Sequence, residues 1–335
     1  MRPSRERWRV TRSGLAIAVL FTALAGSATP GDPALFALRE RRYADADRNL
    51  NELYATRRES RAHAWALDTA LERLGLAVAY DPALALRIDE WRRAKPKSAW
   101  PHLIRARHAV IRAWRARGDR YARAVPAAVW PIFYGEVEAA DAALVAGLRA
   151  DPKNSEVAAY RIETALLSPA SPAIVARRFE EAKAIDPTSE SAHRGMLRAL
   201  AGQWHGSEDA QFAFARETQR LHPEAAILDL MVVDLHQWRA EARGEQQTYF
   251  RSPAVWAETS AALERYVAAF PEDPWGRNRL AWLAWRGGRK DVARRELALA
   301  RDEWVAAAWD DDSIEERVRA WIAAQAPAPA RVRGE

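Results

Sequence analysis

The stretch ALERYVAAFPEDPWGRNRLAWLAWRGGRKDVARRELALARDEW, from Ala262 to Trp304, decides the fold. It reads as helix, tight turn, helix, glycine-marked turn and helix. Pro271 breaks the first helix because proline removes a backbone donor and clashes with the preceding turn. Gly288 marks the second break, and Ala293, Leu297 and Ala300 give the last helix an apolar stripe at helical spacing.

Weaker echoes lie upstream. Asp151-Pro152, Asp186-Pro187 and His222-Pro223 each close a helical stretch, with the prolines 35 and 36 residues apart. Pro271 follows after 48, and a loop insertion from Gly244 to Pro253 accounts for the longer interval. Tetratricopeptide repeats have a period of about 34 residues, with a proline at the end of each unit. Paired helices fill the intervals: 154–167 with 171–185, 189–202 with 206–221, and 225–242 with 254–270. In this frame Leu280, Ala281 and Ala284 fall where the first helix of a unit packs. The expected fold is all-α, a tetratricopeptide-like α-solenoid, meaning a right-handed superhelix of antiparallel helix pairs. It spans residues 33–325, and its clearest repeats lie within 143–304. A last helix from Ser313 to Gln325 reads as a solvating cap, and residues 326–335 as a disordered tail.

The first half is helical by periodicity but drifts from the repeat. One long amphipathic helix is predicted from Pro33 to Ser60, and a second over 62–74, stopped by Gly75. Asp81-Pro82 opens a third, with Asp81 as its cap. Ser98 caps a fourth, which ends at Gly118; Pro126 and Pro131 leave 119–131 irregular, and a helix returns over 132–149.

Composition bounds the function. Apolar residues are 49% of the chain, enough for a sizeable core. Cysteine is absent, which removes disulfides, zinc-thiolate sites, a cysteine nucleophile and a lipidated N-terminal cysteine. The net charge of +6 is concentrated before Leu15, where Arg2, Arg5, Arg7, Arg9 and Arg12 face only Glu6. Without that segment 46 basic residues oppose 44 acidic ones, so nucleic-acid binding is not expected. The basic segment leads into LAIAVLFTALAG, Leu15 to Gly26, followed by small residues and TPGDP. This is the layout of a signal peptide over residues 1–25, cut after Ala25, with Ala28 as the alternative site. The expected location is periplasmic or secreted. The alternative is an inner-membrane anchor over residues 15–28, and only then would the chain meet a membrane.

The phrases IDEWRRAKPKSAWPHLIRARHAVIRAWRARG (Ile88–Gly118), FEEAKAIDPTSE (Phe179–Glu190) and QWHGSEDAQFAFAR (Gln203–Arg216) resemble a bacterial domain-of-unknown-function family, number 4034. The resemblance covers roughly residues 40–220. It implies a tetratricopeptide-like superhelix and no assigned activity. Trp204, Gly206 and Ser207 match a WGGS-like phrase of that family, in which His205 replaces a glycine.

Motifs for catalysis are missing. His102 and His108 lie six apart on one predicted helix, off the spacing that aims two imidazoles at one metal, and no HExxH occurs. His63, His193, His222 and His236 read as ordinary surface or packed histidines. The acid pairs Glu136/Glu138 and Glu180/Glu181 and the run Asp310–Asp312 read as solvated faces. No phosphate-cradling glycine loop or serine elbow is present. Neither a cofactor nor a metal is expected.

Two places invite a binding reading. Trp204 and His205 sit in a turn before the cap Ser207. Trp275, Asn278, Trp282 and Trp285 share one helix face; the resemblance implies that this face lines the concave groove of a tetratricopeptide unit. Open rings there suit peptide anchoring or stacking on sugars; covered rings are ordinary packing. The expected protein is a non-catalytic exported interaction or scaffold module that holds a protein segment in its groove. The alternative is a cell-wall factor meeting glycan; a third reading is a hydrolase using His205 and nearby acids.

Overall fold

Fifteen α-helices and no strand make up the described residues of the computed structural model, which are 32–169, 171–204, 206–246, 248–301, 303–309 and 314–324. The signal segment, His205, Asp310–Asp312 and the tail lie outside them. No helix among the described residues is long and apolar enough to cross a membrane. The chain divides into two units, the first ending at Met231 and the second beginning at Val232.

The first unit contains α1 (Pro33–Arg39), α2 (Tyr43–Thr56), α3 (Arg61–Tyr80), α4 (Pro82–Ala94), α5 (Trp100–Arg117), α6 (Val129–Ala150), α7 (Ser155–Leu167), α8 (Pro172–Ile185), α9 (Glu190–Ala199) and α10 (Glu208–Leu221). The change of unit falls within α11 (Ala226–Arg243). The odd helices form a row: α1 packs on α3, α3 on α5, α5 on α7 and α7 on α9. Even helices flank it, α2 against α1 and α3, α4 against α3 and α5, α6 against α5 and α7, and α8 against α7 and α9. Each odd helix therefore buries two sides. Leu67, Leu71 and Leu74 of α3, Leu103 and Ile104 of α5, and Val157 and Ile162 of α7 are all inside. Burying each such side chain contributes about 1.5–3 kcal/mol.

Polar groups fix the register. The indoles of Trp91 and Trp100 are buried, and their Nε1 groups donate to Asp47 (2.9 Å) and Asn51 (2.7 Å), one turn apart on α2. An unpaired indole N–H at either site would carry a desolvation cost.

Local signals explain most helix ends. Asp81 caps α4 by accepting from Ala83 N–H at 2.9 Å, Asn154 caps α7, and Ser189 caps α9. Gly118 ends α5 with φ 74°. Two readings of the sequence fail. The single helix over 33–60 is broken, because Arg41 turns left-handed (φ 55°). Arg42 N–H then donates to Ala37 O at 2.8 Å and Arg41 N–H to Leu38 O at 3.2 Å, a Schellman closure without its usual glycine. Gly75 does not stop α3, which runs on to Tyr80. A Cβ there would stand 3.1 Å from Arg107 Cβ, so this glycine is where α3 and α5 cross closely.

The second unit continues with α12 (Pro253–Ala269), α13 (Pro274–Arg286), α14 (Lys290–Leu299) and α15 (Glu315–Ala323), the last within the predicted 313–325. Its centre is α13, which packs against α12, α14 and short 3-10 turns at Tyr249–Arg251 and Ala306–Ala308. Asn278 is fully buried and makes four hydrogen bonds. Its Nδ2 donates to Pro274 O and Glu303 O, both at 2.9 Å; its Oδ1 accepts from Val305 N–H (3.2 Å) and Trp309 Nε1 (2.8 Å). One amide thus holds segment 303–309 over α13. Trp309 in turn stacks on Trp304 at 4.0 Å.

Asn278→Ala leaves three partners in segment 303–309 unsatisfied. A loss of about 2–3 kcal/mol is expected, read as a lower urea midpoint for the full chain. An unchanged midpoint contradicts the assigned role of this amide.

Candidate functional site

Residues singled out by sequence occupy different environments. Trp275, Asn278 and Trp282 are buried, so the predicted aromatic face is covered and does not stand open as a groove. Trp275 packs edge-on against Tyr266 (5.4 Å), and Trp282 lies between Phe250 (5.3 Å) and the Arg279 guanidinium (3.9 Å). Trp285 is half-buried beneath Arg286. The shared face is real, but segment 303–309 and the Tyr249–Arg251 turn occupy it. Trp204 is half-buried against the first unit's core. Ser207 caps α10, accepting from Ala210 N–H at 3.0 Å. His205 lies outside the described residues.

A different site emerges along the row of odd helices. A cavity of about 250 Å³ opens among α3, α5, α7, α9 and the start of α11, and Arg57 and Arg58 follow α2 at one lip. This is below the ~300–1,000 Å³ typical of small-molecule sites, a space for side chains more than for a cofactor. Its wall is charged. Arg57 donates to Asp186 at 2.9 Å and stands 3.6 Å from Glu156. Arg58 also pairs with Asp186, Arg61 and Arg194 share Glu190, and Arg198 holds Glu163 at 2.7 Å. Arg107, on the floor, lies over the Tyr160 ring at 4.9 Å and reaches Asp68 only at 3.8 Å.

Helix geometry explains the convergence. Glu156, Ala159, Tyr160 and Glu163 are three, one and three residues apart, so they line one face of α7. Ser191, Arg194, Gly195 and Arg198 do the same on α9.

Burial dominates the electrostatics. It pushes the Glu156 carboxyl above its ordinary range, with Asp68 adding to the rise; Ser191, Arg57 and Arg107 oppose it without cancelling it. Tyr160 is likewise raised by burial. At Asp186 burial raises the pKa, but Arg58, Arg57 and the Thr188 N–H outweigh it, so that carboxylate stays ionised below the usual range. Burial thus acts in opposite company at the two acids: it prevails at Glu156 and is overcome by arginines at Asp186.

Two histidine arrangements escape sequence reasoning, because their partners are brought together only by folding. In the second unit, buried His236 pairs through Nδ1 with the Tyr249 hydroxyl (2.8 Å) and through Nε2 with Glu258 (2.9 Å). In the first, His193 packs edge-on against Phe179 (5.2 Å) and His222 (5.5 Å), its Nδ1 on Ser189 O. Burial, opposed by the Ser189 bond and reinforced by His222, lowers the His193 pKa.

Comparison with known proteins adds one relation. Residues 35–194 match the family described as "Domain of unknown function (DUF4034)". The match includes Arg57, Arg107, Glu156, Tyr160 and Arg194 of the cavity, and it stops short of the phrase Gln203–Arg216. No curated protein matches the chain.

Two pH effects follow. The folded state holds the Glu156 proton more tightly than the unfolded chain, so its contribution is present below pH ~4.5 and lost as pH rises through the folded pKa. Glu156→Gln is therefore expected to raise the melting temperature at pH 7–8 and change it little at pH 4; destabilisation at pH 7 contradicts this. For His193 the sign reverses: stability present above pH ~6.5 is lost as pH falls through the lowered folded value. His193→Gln flattens the stability profile below pH 6.5 in urea titrations; an unaltered slope contradicts the assignment.

Proposed function

We propose that this chain, whose residues 35–194 belong to the DUF4034 family, is an exported, non-catalytic interaction module. In this reading the first unit is a tetratricopeptide-like solenoid, and the face of its odd helices receives a segment of a partner protein. The single observation that carries the reading is the cavity itself, lined by four successive members of that row and by the lip residues Arg57 and Arg58. A row of helices gives an extended strip, which suits a chain segment better than a compact ligand.

Its chemistry supports holding over turnover. The carboxylates of Asp186, Glu190 and Glu163 are engaged by guanidiniums, whereas a general acid or base needs a free path to a reacting proton. The glycan alternative was motivated by open tryptophans, and Trp275 and Trp282 are buried. Export rests on the N-terminal segment alone.

A photo-crosslinking residue at Ala64, on the cavity wall, tests this reading in cells, with exposed Leu299 of α14 as the control position. A discrete protein adduct is expected from Ala64 and none from Leu299. Equal adducts at both positions, no adduct from Ala64, or retention of glycan fragments alone would overturn the proposal.

A further inference from the structure

Five guanidiniums line the cavity, those of Arg57, Arg58, Arg107, Arg194 and Arg198, with five carboxyls among them, Asp68, Glu156, Glu163, Asp186 and Glu190. At the rim the exposed members are mostly guanidiniums. Asp186 and Glu156 keep only 4% and 6% of their side chains in contact with solvent, while Arg58 and Arg198 keep 54% and 40%. Asp68 alone among the acids is mostly exposed. A ligand at the rim therefore meets Arg58 and Arg198, each backed by a largely buried carboxylate, with Asp68 as the one exposed acid of the lining.

One further feature points the same way. Arg107 has the longest ion pair of the set, and its buried Nε finds no hydrogen-bond partner among the described residues. Approach to Arg107 is directional, because a guanidinium fork matches a carboxylate in two parallel hydrogen bonds.

We propose that the partner segment is acidic, with glutamate or aspartate side chains entering the cavity to pair with Arg58 and Arg198 at its rim and Arg107 on its floor. This rests on the reading of the cavity as a segment-binding groove and adds the chemistry of the occupant. Nothing in it requires a covalent step. Rim charges of this kind steer encounter and weaken with ionic strength.

The test is fluorescence polarisation on the full chain with three labelled dodecapeptides, in which serine alternates with glutamate, glutamine or lysine, and a single-stranded oligonucleotide of equal length. The glutamate peptide is expected to bind at least tenfold more tightly than the glutamine peptide, with affinity falling as salt rises from 50 to 300 mM. The lysine peptide and the oligonucleotide should bind more weakly than either. The double variant Arg58→Gln/Arg198→Gln should lose tenfold or more for the glutamate peptide while remaining folded at the assay temperature, since Arg57 still holds Asp186. Ala64→Trp, which narrows the cavity, should weaken all peptides together. Equal affinity for the glutamate and glutamine peptides, or full binding by the double variant, overturns the acidic preference and leaves the groove reading standing. Tighter binding of the oligonucleotide, or no binding of the glutamate peptide, also overturns it. If peptides bind but Ala64→Trp changes nothing, the groove reading itself fails.

Discussion

Arg57 is the side chain on which the first unit's site depends. It follows the last turn of α2, lies over the Tyr54 ring at 3.7 Å and donates to Asp186, 129 residues further along the chain. Beside it, the Tyr54 hydroxyl accepts from Ser155 N–H at 3.0 Å and pairs with Ser155 Oγ at 2.9 Å. The end of α2 is thereby joined to the start of α7 and to the α8–α9 turn. The chain contains no cysteine, so no covalent tie does this work. Because the guanidinium is largely buried with its partners, removing it would strand Asp186 and Glu156 in low dielectric, a far larger effect than losing a surface ion pair.

The two units solve the same problem with different chemistry. In the first, an ionic network lines the cavity among successive helices. In the second, the neutral amide of Asn278 pulls segment 303–309 down over α13 and leaves its tryptophans covered. An amide satisfied on all four sides closes a surface without residual charge, whereas the ion pairs of the cavity keep Arg58 and Arg198 in contact with solvent. That contrast is why the polar cavity, and not the aromatic helix, is the better candidate for binding.

What the sequence disclosed follows from the range of the interactions involved. Caps at Asp81, Asn154 and Ser189, and the glycine end of α5, act within a few residues, and the helix pairs at 155–185 and 190–221 fall where the proline period places them. Arg41 was silent because an arginine in the left-handed region carries no compositional signal. Trp275, Asn278, Trp282 and Trp285 do share a face, but periodicity cannot say what covers it; the cover is chemically specified by a residue 25 to 31 positions away from its contacts. The cavity was invisible for the same reason. Its arginines and acids come from four helices and two turns, and each reads locally as an ordinary solvated charge.

Hydrogen–deuterium exchange on the full chain, with and without the alternating glutamate–serine peptide, tests the central claim that binding resides on the odd-helix face of the first unit. Peptide-dependent protection is predicted within residues 57–68, 156–163 and 188–198, with 274–286 and 303–309 unchanged. Protection confined to 274–309, with the first unit unaffected, would contradict the account.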